Sequence, residues 1–323
     1  MGKLLLPLIV LALCHCAAMA GKTVVTATLK GYSGKMVYFD FMPQTEENRE
    51  YPYEEGRTYT FEADLKDITL MKINSWVWIC LKPGDNLSVS LTYNERNYRT
   101  AEFSGTADAV AVNEALRDMR MLRVGNRYKT DTDAAAVTLV PADTYQNMCL
   151  EQWKKETEIL DRAKGRMSGK MYNFLLSEHE AMFLGNLIAF PYLRASYDRK
   201  QIGDVLPEDY WEVLDHYTPR GDKGSLYSQA YEGFLVPYAD YVRRRELARV
   251  GKEWTADLTL EEGFDYLASF YQKDMRDAAL CVYLYNAAAS GKDFGRIDKL
   301  TKIYLKKYNK NKKYRDVLTE VMQ

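Results

Sequence analysis

Apolar residues alternate with polar ones over the first third of the chain and recur every three to four positions over the rest. Between residue 22 and about residue 105, Val25, Ala27 and Leu29 alternate with Val24, Thr26 and Thr28. Val37, Phe39 and Phe41 alternate with Met36, Tyr38 and Asp40. Tyr59, Phe61 and Ala63 follow the same rule, as do Leu87, Val89, Leu91 and Tyr93. Period two with polar partners predicts strands that bury one face. Trp76–Leu81 is apolar on both faces, which predicts a central strand. Lys82-Pro83-Gly84-Asp85 comes next; Pro sets φ at the second turn position and Gly accepts positive φ at the third, the requirement of a type II turn. Short strands in series without a helical pattern argue for an antiparallel sandwich or open barrel. The acidic stretch Glu46–Glu55, which contains Pro52, is expected to be a solvated loop between strands that discourages edge pairing. A ligand or metal loop is the alternative there.

After Gly105 the period changes to that of a helix. Val112, Leu116, Met119 and Leu122/Arg123 begin an apolar stripe, and a breaker region runs from Gly125 to Asp143. Helical patterns are expected at about 143–164, 170–190, 207–217, 226–248, 259–271, 275–289, 295–308 and 312–322. Gly165, Gly169, Pro191, Pro207, Pro219, Gly251 and Gly291 punctuate their ends. Tyr227, Tyr231, Phe234, Tyr238, Tyr241 and Val242 share one helix face. With 25 Tyr in the chain, core packing with the hydroxyls reaching outward is the favoured reading, and a sugar-binding tyrosine surface is the alternative. The expected fold class is therefore α+β in two domains: a signal peptide at 1–20, an N-terminal antiparallel β-sandwich at 21–106 and an all-α helical domain at 107–323.

The N-terminus sets the expected compartment. Lys3, the apolar run Leu4–Leu13 and Ala18-Met19-Ala20 before Gly21 match a secretory signal peptide. A transmembrane anchor is disfavoured because the run is short. A lipoprotein signal is disfavoured by the residues before Cys14 and Cys16. Cleavage removes Lys3 alone among the charged residues, so the formal charge moves from −1 to −2. A nearly neutral chain has no global field to attract nucleic acid. Of the five cysteines, Cys80, Cys149 and Cys281 would remain. Each lies in an apolar pattern, so three inert core thiols are favoured over one disulfide or a reactive thiolate.

Recognisable catalytic chemistry is absent from the sequence, and no catalytic, cofactor-binding or metal-ligating residue is assigned. His179 lies in Glu178-His179-Glu180 and is expected at the surface, and His216 is the other histidine of the exported chain. Neither belongs to a zinc spacing. Gly31-Tyr32-Ser33-Gly34 reads as a turn between strands, not a nucleophile elbow. Gly165-Arg166-Met167-Ser168-Gly169-Lys170-Met171 has the wrong spacing for a phosphate loop and reads as a helix–helix connection. Asp131-Thr132-Asp133 lacks the later Gly and Glu of a calcium loop. Two basic clusters, Arg243-Arg244-Arg245 and the tail 296–323, are expected to be solvated helix faces, with an anionic membrane or acidic partner as the alternative.

Several segments resemble the front part of Bacteroidetes-type secreted thiol–disulfide oxidoreductases of the TlpA/ResA type. Trp78-Ile79-Cys80-Leu81-Lys82-Pro83-Gly84-Asp85-Asn86-Leu87 is similar to that family's strand, Pro-Gly-Asp turn and next strand. Glu55-Gly56-Arg57-Thr58-Tyr59-Thr60-Phe61 is similar to its Asp-Gly-Lys-Phe-x-Phe hairpin. Phe103-Ser104-Gly105-Thr106 with Asn113 is similar to its exit into the first helix, and Tyr308-Asn309-Lys310-Asn311 with Tyr314 and Leu318 to the helix before its thioredoxin domain. The resemblance implies the fold and an exported, periplasmic or envelope-associated location. It implies no activity, because the sequence contains no Cys-x-x-Cys. The expected function is a secreted non-catalytic binding or accessory module of the cell envelope. The alternatives are a component of a thiol–disulfide system beside a separately encoded thioredoxin-like partner, or a carbohydrate or peptide binder. No cofactor, nucleic acid or transmembrane segment in the mature chain is expected.

Overall fold

In a computed structural model, residues 22–42, 49–95, 97–126, 130–207, 209–251 and 257–322 are described. The expected signal peptide, with Cys14 and Cys16, and part of the acidic stretch lie outside them. Eight strands come first: β1 (Thr23–Tyr32), β2 (Met36–Met42), β3 (Arg49–Pro52), β4 (Thr58–Ala63), β5 (Thr69–Ile73), β6 (Val77–Leu81), β7 (Asn86–Glu95) and β8 (Asn97–Gly105). They form two four-stranded sheets, ordered β4-β1-β7-β8 and β3-β2-β5-β6. The chain passes between the sheets four times, so neighbours in sequence are often not neighbours in a sheet. The apolar positions of the period-two pattern from both sheets make one cluster, in which Val25, Phe39, Phe61, Ile79 and Leu87 are buried. The rings of Phe39 on β2 and Phe61 on β4 stack across it at 5.7 Å.

Four expectations are corrected here. The pairing is antiparallel except between β1 and β7, which run parallel with Val25 opposite Leu87; the long excursion between them makes a parallel crossover possible. The Glu55-Gly56-Arg57 turn is not a hairpin, because it leads from β3 in one sheet to β4 in the other. Part of the acidic stretch, Arg49–Pro52, is a strand, pairing with β2 at the sheet edge, where Pro is tolerated. Trp76–Leu81 is not central either: β6 is an edge strand. It is apolar throughout because both its faces are covered, Val77, Ile79 and Leu81 by the cluster to which both sheets contribute and Cys80 by helices. The Pro83-Gly84 turn after it forms as expected, with Gly84 at φ 82° and Asp85 N–H donating to Lys82 O.

The helices are α1 (Ala107–Asn126), α2 (Thr132–Val137), α3 (Ala142–Ala163), α4 (Gly169–Asp198), α5 (Glu212–Asp215), α6 (Gln229–Arg249), α7 (Leu260–Phe270), α8 (Lys273–Ala289), α9 (Phe294–Lys307) and α10 (Lys312–Val321). The chain leaves the sheet for α1 at Gly105, whose φ is 128°. A Cβ there would sit 2.1 Å from Asn86 O, so only glycine lets β8 lie this close to β7. A second apolar cluster joins Ile68 and Cys80 to Val112 and Met119 of α1, Leu160 of α3 and Met171 of α4. A third holds the remaining helices together.

Three helical expectations are revised. The breaker region contains the end of α1 and all of α2. The pattern at 207–217 yields only the single turn of α5. Helix α4 does not stop at Pro191 but continues to Asp198. Proline removes the N–H that would reach Leu187 O, and Tyr210 Oη–H donates to that oxygen instead at 3.0 Å. Gly165–Met171 is a helix–helix connection as expected. Among the described residues no helix is long and apolar enough to cross a membrane.

Candidate functional site

Helix α1 packs against strands β6 and β8 and against α3, and one residue on it closes the sheet. Asn113 is fully buried. It accepts a hydrogen bond from Cys80 N–H at 2.7 Å and donates to Cys80 O at 2.8 Å. The amide thus takes the place of a neighbouring strand at the β6 edge. This fixes α1 against β6, and the next turns of the helix run beside the β5–β6 hairpin. The hairpin tip is held in turn by Asn74, whose N–H donates to Tyr38 O and whose Oδ1 accepts from Tyr38 N–H at 2.9 Å. Asn74 and Ser75 both have positive φ, the conformation of a type I′ turn.

Between this hairpin, α1, the start of α2 and α4 lies a cleft of ≈ 760 Å³. Its rim is apolar and open to water. Trp76 is 61 % exposed and Val124 70 % exposed, with Met121 beside them. Its floor is cationic. Lys72 and Trp78 are cross-strand partners, and the Lys72 ammonium lies 4.3 Å from the indole centroid. The Arg120 guanidinium lies 4.4 Å from the same ring. Neither cation forms an ion pair with a described residue. Burial and the neighbouring Arg123 charge lower the Arg120 pKa to about 10. That cost would be relieved by an anion in the cleft. The other two arginines are engaged. Arg117 donates to Ala101 O and Asp118.

Arg123 donates from Nε and Nη2 to Glu156, at 2.9 and 2.6 Å. Glu156 is 0 % exposed. Gln152 Nε2 donates to it at 2.7 Å, and His179 Nδ1 lies 3.0 Å from Oε2. Although burial opposes ionisation, His179 and Arg123 together hold the Glu156 pKa down at about 2. His179 is therefore not the surface residue expected from its charged neighbours; it is 1 % exposed and helps to anchor Arg123. From the segment leading into α2 and from α4, the cleft also carries Thr130, Asp131, Thr132, Asp133 and Asn186. Asp131 caps α2 by accepting from Ala134 N–H.

The other candidates are structural. Cys80, Cys149 and Cys281 are buried free thiols. Burial raises all three, Cys149 and Cys281 to about 12 and Cys80 well above its ordinary value. The tyrosine stripe of α6 is buried, and its hydroxyls do not reach outward: Tyr238 donates to Tyr217 O and Tyr241 to Asp215. Arg243, Arg244 and Arg245 are not a solvated face but are paired with Asp240, Asp257 and Asp215. Of the cleft residues the sequence draws attention only to Asp131-Thr132-Asp133, as an incomplete calcium loop, and it assigns none of them as a site. The signal there was weak: two tryptophans in one hairpin and an Arg117, Arg120, Val124 spacing in α1, on segments whose meeting the sequence does not specify. Comparison with known protein families, curated proteins and solved structures finds no match.

Proposed function

We propose that the protein is an exported, non-catalytic binding module of the cell envelope, and that the cleft between the β5–β6 hairpin and α1 is its binding site. In this proposal the two sheets form one sandwich domain and the helices a second, with the cleft at their junction. The observation that carries the reading is the pair of cations Lys72 and Arg120, which share one half-buried indole beneath an exposed apolar rim and have no ion-pair partner among the described residues. Cations so placed favour a ligand that supplies an anion. The cleft volume is in the range used by small-molecule and oligomer sites. The buried, high-pKa thiols favour this reading over a role in thiol–disulfide exchange, which needs a thiolate.

Titration of the protein with small carboxylates, phosphates and sulfates, followed by tryptophan fluorescence, tests the site. Saturable quenching that weakens with salt and is lost in Arg120→Gln supports it. A signal identical in wild type and Arg120→Gln, or none at all, removes the cleft from consideration. Export is tested separately: the intact mass of secreted protein is expected to correspond to a chain beginning at Gly21, and an acylated Cys14 or Cys16 would make it a lipoprotein.

A further inference from the structure

We infer that the ligand of the cleft is an acidic oligosaccharide: a chain of sugar rings bearing carboxylate or sulfate groups. The inference rests on the proposal that the cleft binds an anion, and adds what the rest of the ligand must be. Among the described residues the lining is mixed in charge: Lys72 and Arg120 come from β5 and α1, and Asp131 and Asp133 from the start of α2. A uniformly charged polyanion would gain at the cations and be repelled at the carboxylates. A ligand with one anionic group per unit and hydroxyls elsewhere fits both, because a carboxylate accepts hydrogen bonds from hydroxyls as readily as it repels anions. Asn186, whose Nδ2 donates to Thr130 O at 3.3 Å, adds an amide oxygen able to accept.

The rim supplies the remaining contact. Trp76 is held out at the hairpin tip and is 61 % exposed. Nothing in the fold of this hairpin needs an indole there, since Asn74 and the backbone make the turn. An exposed indole offers a flat apolar face with low conformational entropy to lose, suited to the C–H face of a sugar ring. Trp78 is already covered by its two cations, so the tryptophans have separate tasks: Trp78 seats the cations, and Trp76 meets the ring. The geometry thus asks for a ring, an anion and hydroxyls together, which an acidic peptide supplies only in part.

The test uses the full exported chain and four probes in isothermal titration: α-1,4-linked tetragalacturonate, a κ-carrageenan-derived tetrasaccharide bearing sulfate and no carboxylate, neutral cellotetraose and oligoglutamate. At least one acidic tetrasaccharide is expected to bind, the choice between the two telling carboxylate from sulfate, and cellotetraose to bind at least tenfold more weakly. Arg120→Gln, Lys72→Gln and Trp76→Ala are each expected to weaken acidic-sugar binding by about tenfold, the size of one lost charge-assisted or stacking contact. Thermal melts show whether each variant is folded, and the exposed Trp76 serves if Arg120→Gln does not fold. Oligoglutamate binding as tightly, with Trp76→Ala without effect, would overturn the sugar assignment and leave the anion cleft standing. Cellotetraose binding as tightly as the acidic sugars would overturn the anion requirement. Binding of no probe would overturn the sugar assignment, and the small-anion titration of wild type against Arg120→Gln decides separately whether the cleft binds an anion.

Discussion

Glu156 carries its charge where no water reaches it, and three neighbours make that possible. Its pKa lies at about 2 against an ordinary 4.5. A depressed carboxylate contributes stability that is fully present above the unfolded value and is lost as pH falls through the folded one. The window is therefore pH 4.5 down to about 2. Glu156→Gln is expected to remove this acid limb from a urea-denaturation series across pH, and to cost about 2–3 kcal/mol at pH 7 by leaving Arg123 without its anion. Glu232 has the opposite sign. It accepts from Tyr314, but burial raises its pKa above the ordinary 4.5. Its contribution is favourable below that ordinary value and is lost as pH rises through its folded one. Glu232→Gln, which keeps an acceptor for Tyr314, is expected to abolish that loss in the same series. Asn113 has a larger effect through the backbone: Asn113→Ala leaves both polar groups of Cys80 buried without a partner, expected to cost about 2–4 kcal/mol in chemical denaturation.

At the scale of the element, α4 and β6 each depend on a side chain from elsewhere. The sequence of α4 announces a stop at Pro191, and in isolation that is sound chemistry. The helix continues because Tyr210 satisfies Leu187 O and because Leu187, Phe190 and Ala195 are buried on both sides of the proline. A double-mutant cycle checks this. Tyr210→Phe is expected to cost about 1–2 kcal/mol in the wild-type background. In a Pro191→Ala background the backbone N–H restored at that position can reach Leu187 O, so the same change is expected to cost about 1 kcal/mol less. Equal costs in both backgrounds would remove Tyr210 from the account of the helix. Strand β6 shows the same dependence: its apolar pattern is that of a strand buried on two faces, which the sequence expresses well. Whether its neighbour is a strand or a helix bearing one asparagine is not written in its own residues.

Across the whole molecule, the cluster joining Cys80 and Ile68 to α1, α3 and α4 ties sheet to helices. Unfolding of either side would expose apolar surface on the other. A single cooperative urea transition is expected, with tryptophan fluorescence and far-ultraviolet circular dichroism giving the same midpoint; two separated midpoints would mean that the cluster does not couple them. The thiols report on the same event. Cys80, Cys149 and Cys281 lie in three places in the fold, all buried. Their reaction with a thiol probe at neutral pH is expected to track global unfolding, all three together. Early reaction of one would mark a local opening.

The sequence by itself determined the periods, the Pro83-Gly84 turn, the glycine exit at Gly105 and the burial of the cysteines and of the α6 stripe. These follow from one residue's backbone freedom or from the match between a short pattern and one buried face, so they need no partner to be specified. Tertiary structure alone decided the parallel pairing of β1 with β7, the edge position of β6, the passage of α4 through Pro191 and the burial of His179. It alone also brought Lys72, Trp78 and Arg120 together. Each of these is a contact between segments far apart in the chain, and local pattern carries a residue's preference for burial but not the identity of what buries it.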